Sequence, residues 1–350
     1  MAREAFIDAR IGETRAGLVQ NGRLVELRVR RWADEPVRAH VGDVFIGRAG
    51  AFDRGAGGVF VHLGAGPDGF LSIRRDEAPP PEGAMLNVRV TREAVDGKGP
   101  GLVRLDDEAA PAGPPRRVHA AGIADDWRCE TFEADADQAE ALDTAIEAAL
   151  VPTAPIPGGG RLTIERTAAC VAVDVDAANR PTGSDRARFM RGLNVAAAGE
   201  AARQIRLRGL AGLIIIDLAG HPRGSDAGAI VRAAQDGFAV GPGDPRVEFA
   251  DISRFGVLEL ARERRALSLA ETLLGPDGAP TPQTQALDGL ARLVRLGGSA
   301  KGRTPTLGLP AAAHGWLEAN AIDWRGPLTR VIGPRFALEA RPGPVEAWLA

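Results

Sequence analysis

The sequence predicts an α/β core joined to a small β-barrel, with a short α+β module after them. Three observations carry this. Two apolar runs, ACVAVDVD (169–176) and LIIIDL (213–218), each reach a carboxylate and flank a long helical stretch. Five short strand patterns crowd into residues 39–105, separated by glycine-rich turns. Residues 287–350 carry helix and strand patterns beyond a Pro/Gly/Thr-rich segment.

Composition narrows the class. The chain has 350 residues, 45% hydrophobic and 25% charged, which suits a soluble globular protein of more than one domain. A net charge of -3 selects no partner, so any basic surface must be local. Lysine occurs only at 98 and 301, and there is no tyrosine. A GC-rich genome accounts for most of the arginine excess. Cys129 and Cys170 form no CxxC pair, so a zinc site is not expected. Cys170 reads as a buried small hydrophobe. The N-terminus lacks an apolar signal core and no run reaches membrane-spanning length, so a reducing cytoplasm is expected.

Residues 1–38 read as strands, with Gln20-Asn21-Gly22 as a hairpin turn. Residues 39–105 hold VGDVFIGRA, GVFVHLG, DGFLSI, LNVRVTRE and GLVRL, the strand count of an OB-type barrel. Phe60 and Phe70 fall on neighbouring strands there, and Lys98 falls in the turn before the last. Two aromatics and a cation on such a barrel suit base stacking and a phosphate contact, although either Phe could equally be core. Residues 106–157 contain a Pro-rich linker, then an acidic helix with Leu142, Ile146 and Leu150 at helical spacing, then PTAPIPGGG as a hinge.

In the core, 158–270, RLTIE should pair with ACVAVDVD as a hairpin. Ser184-Asp185 offers a cap for the next helix, whose buried stripe is Phe189, Leu193, Ala197, Ala201 and Ile205. Arg203, Arg206 and Arg208 near its end read as solvated, with phosphate contact as the other reading. LIIIDL, a helix near 225–236 and the strand RVEFADIS follow, and Arg254 falls in a turn beside that strand. Residues 271–286 read as a linker. In 287–350 we expect a helix through Leu287, Leu290 and Val294, a second near 311–320, and strands PLTRVIG and RFALEAR.

The chemistry concentrates on the two runs. Val171, Val173 and Val175 face one way, whereas Ala172, Asp174 and Asp176 face the other. LIIIDL is apolar on both faces until Asp217, which suits a buried central strand. Buried carboxylates at such strand ends call for a compensating charge, and a hard divalent cation supplies it. A lone Asp after a strand is more often a turn or cap residue. No nucleophile elbow, P-loop, HExxH or dinucleotide fingerprint competes. His221 lies close enough in sequence to reach the same place, but a loop His is more often solvated.

The stretches VAVDVDAANR, NVAAAGEAARQIRLRGLAGLIIIDL and ADISRFGVLELARER resemble the ribonuclease E/G family of bacterial endoribonucleases. VGDVFIGRAGAFDRGAGGVFVHLGAGPDGFLS resembles its OB-type RNA-binding module, and the tail from about 287 its small domain. The resemblance implies an RNase-H-like subdomain with the barrel inserted, a DNase-I-like α/β catalytic core and a small α+β C-terminal domain. It implies Mg²⁺-dependent hydrolysis of single-stranded RNA to 5′-phosphate products, in rRNA maturation or mRNA decay. On that reading Asp174 and Asp217 hold the metal, and Asp176 and Arg254 belong to the catalytic centre. Phe60, Phe70 and Lys98 contact RNA.

Three departures qualify it. Asp176 stands where the family carries Asn, adding a charge. The Arg-Thr pocket for a 5′-monophosphate is not recognisable in the shortened segment 106–157. GPDGAPTPQ occupies the place of the zinc-binding cysteines, so a homo-oligomer would form without a zinc link. The runner-up reading is a family member that binds RNA but has weak or lost catalysis. A third makes the chain a regulatory subunit of a full-length relative.

Overall fold

The computed structural model describes residues 2–105, 110–177, 186–238, 244–298, 302–319 and 322–350. The cap expected at Ser184-Asp185 lies outside them. The chain opens with a meander, β1 (Arg3–Arg10), β2 (Glu13–Gln20) and β3 (Arg23–Arg31). Asn21 and Gly22 take φ of 51° and 74°, the left-handed pair that a two-residue hairpin turn needs.

A barrel follows: β4 (Val44–Asp53), β5 (Gly58–His62), β6 (Gly69–Ser72), β7 (Met85–Arg92) and β8 (Gly101–Arg104). The strands run β5-β6-β8-β7-β4, and β4 pairs back onto β5, closing the cylinder as the OB-type reading requires. Phe45, Val59, Val61, Leu63, Leu86, Val88 and Val90 fill it. A sixth strand, β9 (Arg116–His119), adds to β4 where only a linker was expected. Next, β10 (Glu130–Glu133) pairs in parallel with β1, so the barrel is inserted within the first sheet, ordered β10-β1-β2-β3. Helix α1 (Ala136–Leu150) starts on a capping box between Asp135 and Gln138 and buries Leu142 and Ile146, with Leu150 partly buried.

The core sheet contains β11 (Thr153–Pro155), β12 (Arg161–Arg166), β13 (Val171–Asp176), β14 (Gly212–Asp217), β15 (Val247–Phe249) and β16 (Val257–Arg262), in the order β11-β12-β13-β14-β16-β15. PTAPIPGGG is therefore no hinge: its Thr153–Pro155 forms the edge strand on β12. Helices α2 (Arg186–Leu207) and α3 (Ser225–Phe238) cover one face of the sheet. The alanines of α2 permit this: Ala197, Ala198, Ala201 and Ala202 are fully buried and let helix and sheet approach closely. Among the described residues no helix covers the other face at β14, where Leu213 is 46% exposed. That corrects the expectation of a strand buried on both sides. Cys170 is also only partly buried, in the β12–β13 turn, where its N–H donates to Thr167 Oγ1.

Arg206 and Arg208 are buried rather than solvated, and Arg203 donates to Glu200 and to the Leu24 carbonyl. The end of α2 is thus a joint with the first sheet. Beyond the core, α4 (Leu269–Leu273) and α5 (Pro282–Gly297) encroach on the expected linker from both sides. Strand β17 (Pro305–Leu309), α6 (Ala311–Glu318), α7 (Arg325–Ile332), β18 (Ala337–Ala340) and β19 (Glu346–Leu349) complete the module. PLTRVIG, expected as a strand, lies mostly in α7. Pro327 sits in its first turn, where a proline is tolerated, and Leu328 is buried with Ile332 packed one turn on. Among the described residues no helix is long and apolar enough to cross a membrane.

Candidate active site

Strands β13 and β14 are parallel neighbours, and their register sets Asp174 directly beside Asp217. Neighbouring strands lie about 4.8 Å apart. The same register continues sideways: Thr163 of β12 faces Asp174, and Val257 of β16 faces Asp217. Alternation explains the placement. Val171, Val173, Val175, Ile214 and Ile216 point under the helices, so the aspartates must emerge on the open face. Both are exposed. Contrary to expectation, burial therefore does not compel a counterion here. What remains is two solvated carboxylates side by side, a donor set that suits a water-rich hard cation. Among the described residues no group of three or more His, Cys, Asp and Glu side chains is arranged to hold a metal.

Asp176 lies two residues further along β13. Its partner across the hairpin is Arg161, whose Nη2 donates to Asp176 Oδ2 at 3.2 Å. The extra charge at this position therefore has its own cation, though an exposed pair of this kind contributes little to stability.

Arg254 sits on the turn between β15 and β16. Ser253 shapes that turn: its Oγ accepts from the N–H of Phe255 and of Val257. The Leu218 N–H donates to the Gly256 carbonyl at 3.1 Å, so the turn is tied to the residue after Asp217. Gly256 takes φ of 85°, and a Cβ there would stand 2.4 Å from the Gly220 carbonyl. His221 is beside it and exposed. The Arg254 guanidinium lies 4.8 Å from the centre of the Phe255 ring.

Two contributors escaped sequence reasoning. Asn194, 2% exposed on α2, brackets Ala219: its Nδ2 donates to the Ala219 carbonyl and its Oδ1 accepts the Ala219 N–H. This fixes the loop two residues beyond Asp217. A lone Asn among the small apolar residues of α2 was the available signal. Phe255 is 65% exposed, an unusual position for a large ring. Its place between Arg254 and Gly256 was visible, but its exposure was not.

On the barrel, Phe60 and Phe70 are register partners on β5 and β6, with ring centres 5.2 Å apart and edge to face. Phe60 is 47% exposed, and Phe70 partly so, which disposes of the core reading for Phe60. Lys98 is exposed on the turn just before β8, and Gly101 of β8 pairs with Phe70. The barrel triad thus occupies one region. That turn is anchored elsewhere on the core: Asp96 pairs with Arg264 at 2.6 Å, and the Glu93 N–H donates to the Arg265 carbonyl. Arg264 follows the end of β16 opposite Val257. About 20 Å of strand therefore separates this anchor from the aspartates.

Residues 127–265, which include both aspartates, Asp176 and Arg254, match the sequence profile of the ribonuclease E/G family. Over that segment the chain is similar to the ribonuclease E/G family. It is 35% identical to Ribonuclease E of Haemophilus influenzae over 131 residues, 37% of this chain and 14% of that protein. The figures for Ribonuclease E of Escherichia coli are 35% over 131 residues, 37% of this chain and 12% of that protein. Ribonuclease E of Nostoc aligns over 196 residues at 32% identity, covering 55% of this chain and 27% of that protein. The match thus spans less than a third of these relatives' length. Its centre is the sheet that carries the aspartates, whereas the barrel lies outside the family segment.

Proposed function

We propose that this chain is an Mg²⁺-dependent endoribonuclease. It cuts single-stranded RNA by hydrolysis to leave 5′-phosphate products, in rRNA maturation or mRNA decay in the cytoplasm. One observation carries the reading: Asp174 and Asp217 stand side by side on an open sheet face, inside the segment that matches a ribonuclease family.

The division of labour follows the chain. Residues 39–105 bind RNA, with Phe60 and Phe70 stacking on bases and Lys98 on phosphate. Residues 158–270 cut it. Residues 1–38 and 106–157 frame the barrel, and 287–350 form a small module packed against the first sheet. Mg²⁺ held at Asp174 and Asp217 would neutralise the scissile phosphate and lower the pKa of an attacking water. Asp174 and Asp217 hold charge at fixed positions, so little reorganisation accompanies the reaction. Arg254 offers a guanidinium to the charge that grows on the phosphoryl oxygens. Asn194 and Gly256 position the loops that carry this machinery. Phe255 presents its exposed ring to a base beside the cut.

A second reading is a chain that binds RNA without cutting it. The pairing of Asp176 with Arg161 is the observation on its side, because it gives that carboxylate a partner outside the aspartate pair. One assay separates the two. Purified protein is incubated with a short unstructured RNA, with Mg²⁺ or with EDTA. Internal cleavage in Mg²⁺ alone, lost in Asp174→Asn, is expected. Salt-dependent binding with no product under either condition would leave the second reading.

A further inference from the structure

The first sheet, the barrel and the core meet around a partly enclosed cavity of about 110 Å³. Its walls are charged, and the two signs are not evenly matched. Four of the five wall carboxylates, all but Asp34, are engaged, Asp126 by Arg28. Glu26 accepts from Arg28 and from the Trp127 indole, Glu93 is bonded to His40, and Glu263 accepts from Arg265. Three arginines on the same walls, Arg30, Arg206 and Arg262, come from three different elements. Their hydrogen bonds go to backbone carbonyls: Arg30 to Ala121, Arg206 to Gly237 and Arg262 to Leu210.

Arg206 is 3% exposed, and its Nη2 has no hydrogen-bond partner among the described residues. Burial pushes all three guanidinium groups below the ordinary arginine range, and nearby carboxylates do not offset it. Glu26 and Asp244 both lie within electrostatic reach of Arg206 and Arg262, but the hydrogen bonds of Glu26 go to Arg28 and Trp127, and Asp244 pairs with Arg3. A buried guanidinium with a spare donor, as at Arg206, is costly unless an acceptor answers it. Guanidinium forks match tetrahedral oxyanions. The space holds roughly four water volumes, enough for one such ion and too little for a nucleotide.

We propose that this cavity binds a single phosphate-sized oxyanion, gripped by Arg30, Arg206 and Arg262. The ion would join β3, α2 and β16 at one point and stiffen the seat of the barrel on the core. The site stands apart from the aspartates and does not depend on the nuclease reading.

The test is thermal unfolding of the full chain in rising inorganic phosphate against chloride of equal ionic strength. A saturable rise of about 2 to 4 °C is expected, with one ion per chain by calorimetry. Arg206→Met preserves side-chain bulk, should fold, and should lose the rise. If it does not fold, Arg30→Met on β3 gives the same readout. No rise, a rise that never saturates, or an equal rise in the variant that folds would overturn the proposal. The source of the ion is read with a 5′-phosphorylated dinucleotide and its 5′-hydroxyl form. A response to the former alone assigns the site to an RNA terminus, and a response to neither assigns it to the free ion. Either answer upholds the site, provided the phosphate response stands.

Discussion

Replacing Asp217 with Asn keeps the shape of the side chain and removes one of two adjacent charges. The register pair places the Asp174 and Asp217 backbones about 4.8 Å apart. Two unit charges about 5 Å apart in water repel by roughly 0.8 kcal/mol, and salt screening leaves about half of that. Asp217→Asn should therefore stabilise the metal-free protein, by about 0.5 kcal/mol. The same change removes half of the donor set, so cleavage should fall by about 100-fold or more. Urea denaturation in EDTA reads the first effect and internal cleavage of an unstructured RNA reads the second. Repeating the denaturation in Mg²⁺ closes the comparison: wild type should gain stability and the variant should not. A variant that is less stable in EDTA and cuts at the wild-type rate would refute the reasoning, because Asp217 would then be a structural residue.

Three further outcomes are expected. Phe60→Ala should weaken binding of a short single-stranded RNA by about 1–3 kcal/mol, measured by fluorescence anisotropy, and should barely move the unfolding midpoint because the ring is already 47% exposed. Gly256→Ala forces a Cβ to 2.4 Å from the Gly220 carbonyl at φ of 85°; it should cost about 1–3 kcal/mol of stability and lower cleavage, and normal values of both would show that the turn relaxes freely. Glu26 governs part of the acid limb. Burial alone would raise its pKa, but Arg28, Arg262 and the Trp127 indole outweigh that and hold it at about 2 instead of 4.5. Its contribution, about 3 kcal/mol at most, is present above pH 4.5 and is lost as pH falls through about 2. Glu26→Gln should flatten that limb in a pH series of urea midpoints.

Period-two alternation was legible because it reports one physical fact, a sheet with a wet side and a dry side. It placed Asp174 opposite Val173 and Val175 without error. It could not say how far the wet side was open, and the three consecutive isoleucines of β14 suggested cover on both faces. Ile215 is only partly buried. The barrel strands were readable because glycine turns punctuate them, whereas β9 and β10 were not. Both are four-residue strands that form by adding to partners distant in sequence. The strand reading of PLTRVIG failed because local β-branched content competes with a helical spacing that tertiary packing rewards. The same limit applied to Arg206 and Arg208, whose burial depends on the first sheet folding back onto α2.

The pairing of Asp174 with Asp217 is set by the same hydrogen bonds that seat Val173 and Ile216 beneath the helices. A slip of one residue would drive acidic groups into oil and lift valines into water, so the ladder tolerates a single alignment. Assembly of the interior and assembly of the acidic pair are consequently one event. A mutation that loosens the packing should reduce the number of competent molecules while leaving each survivor fully armed.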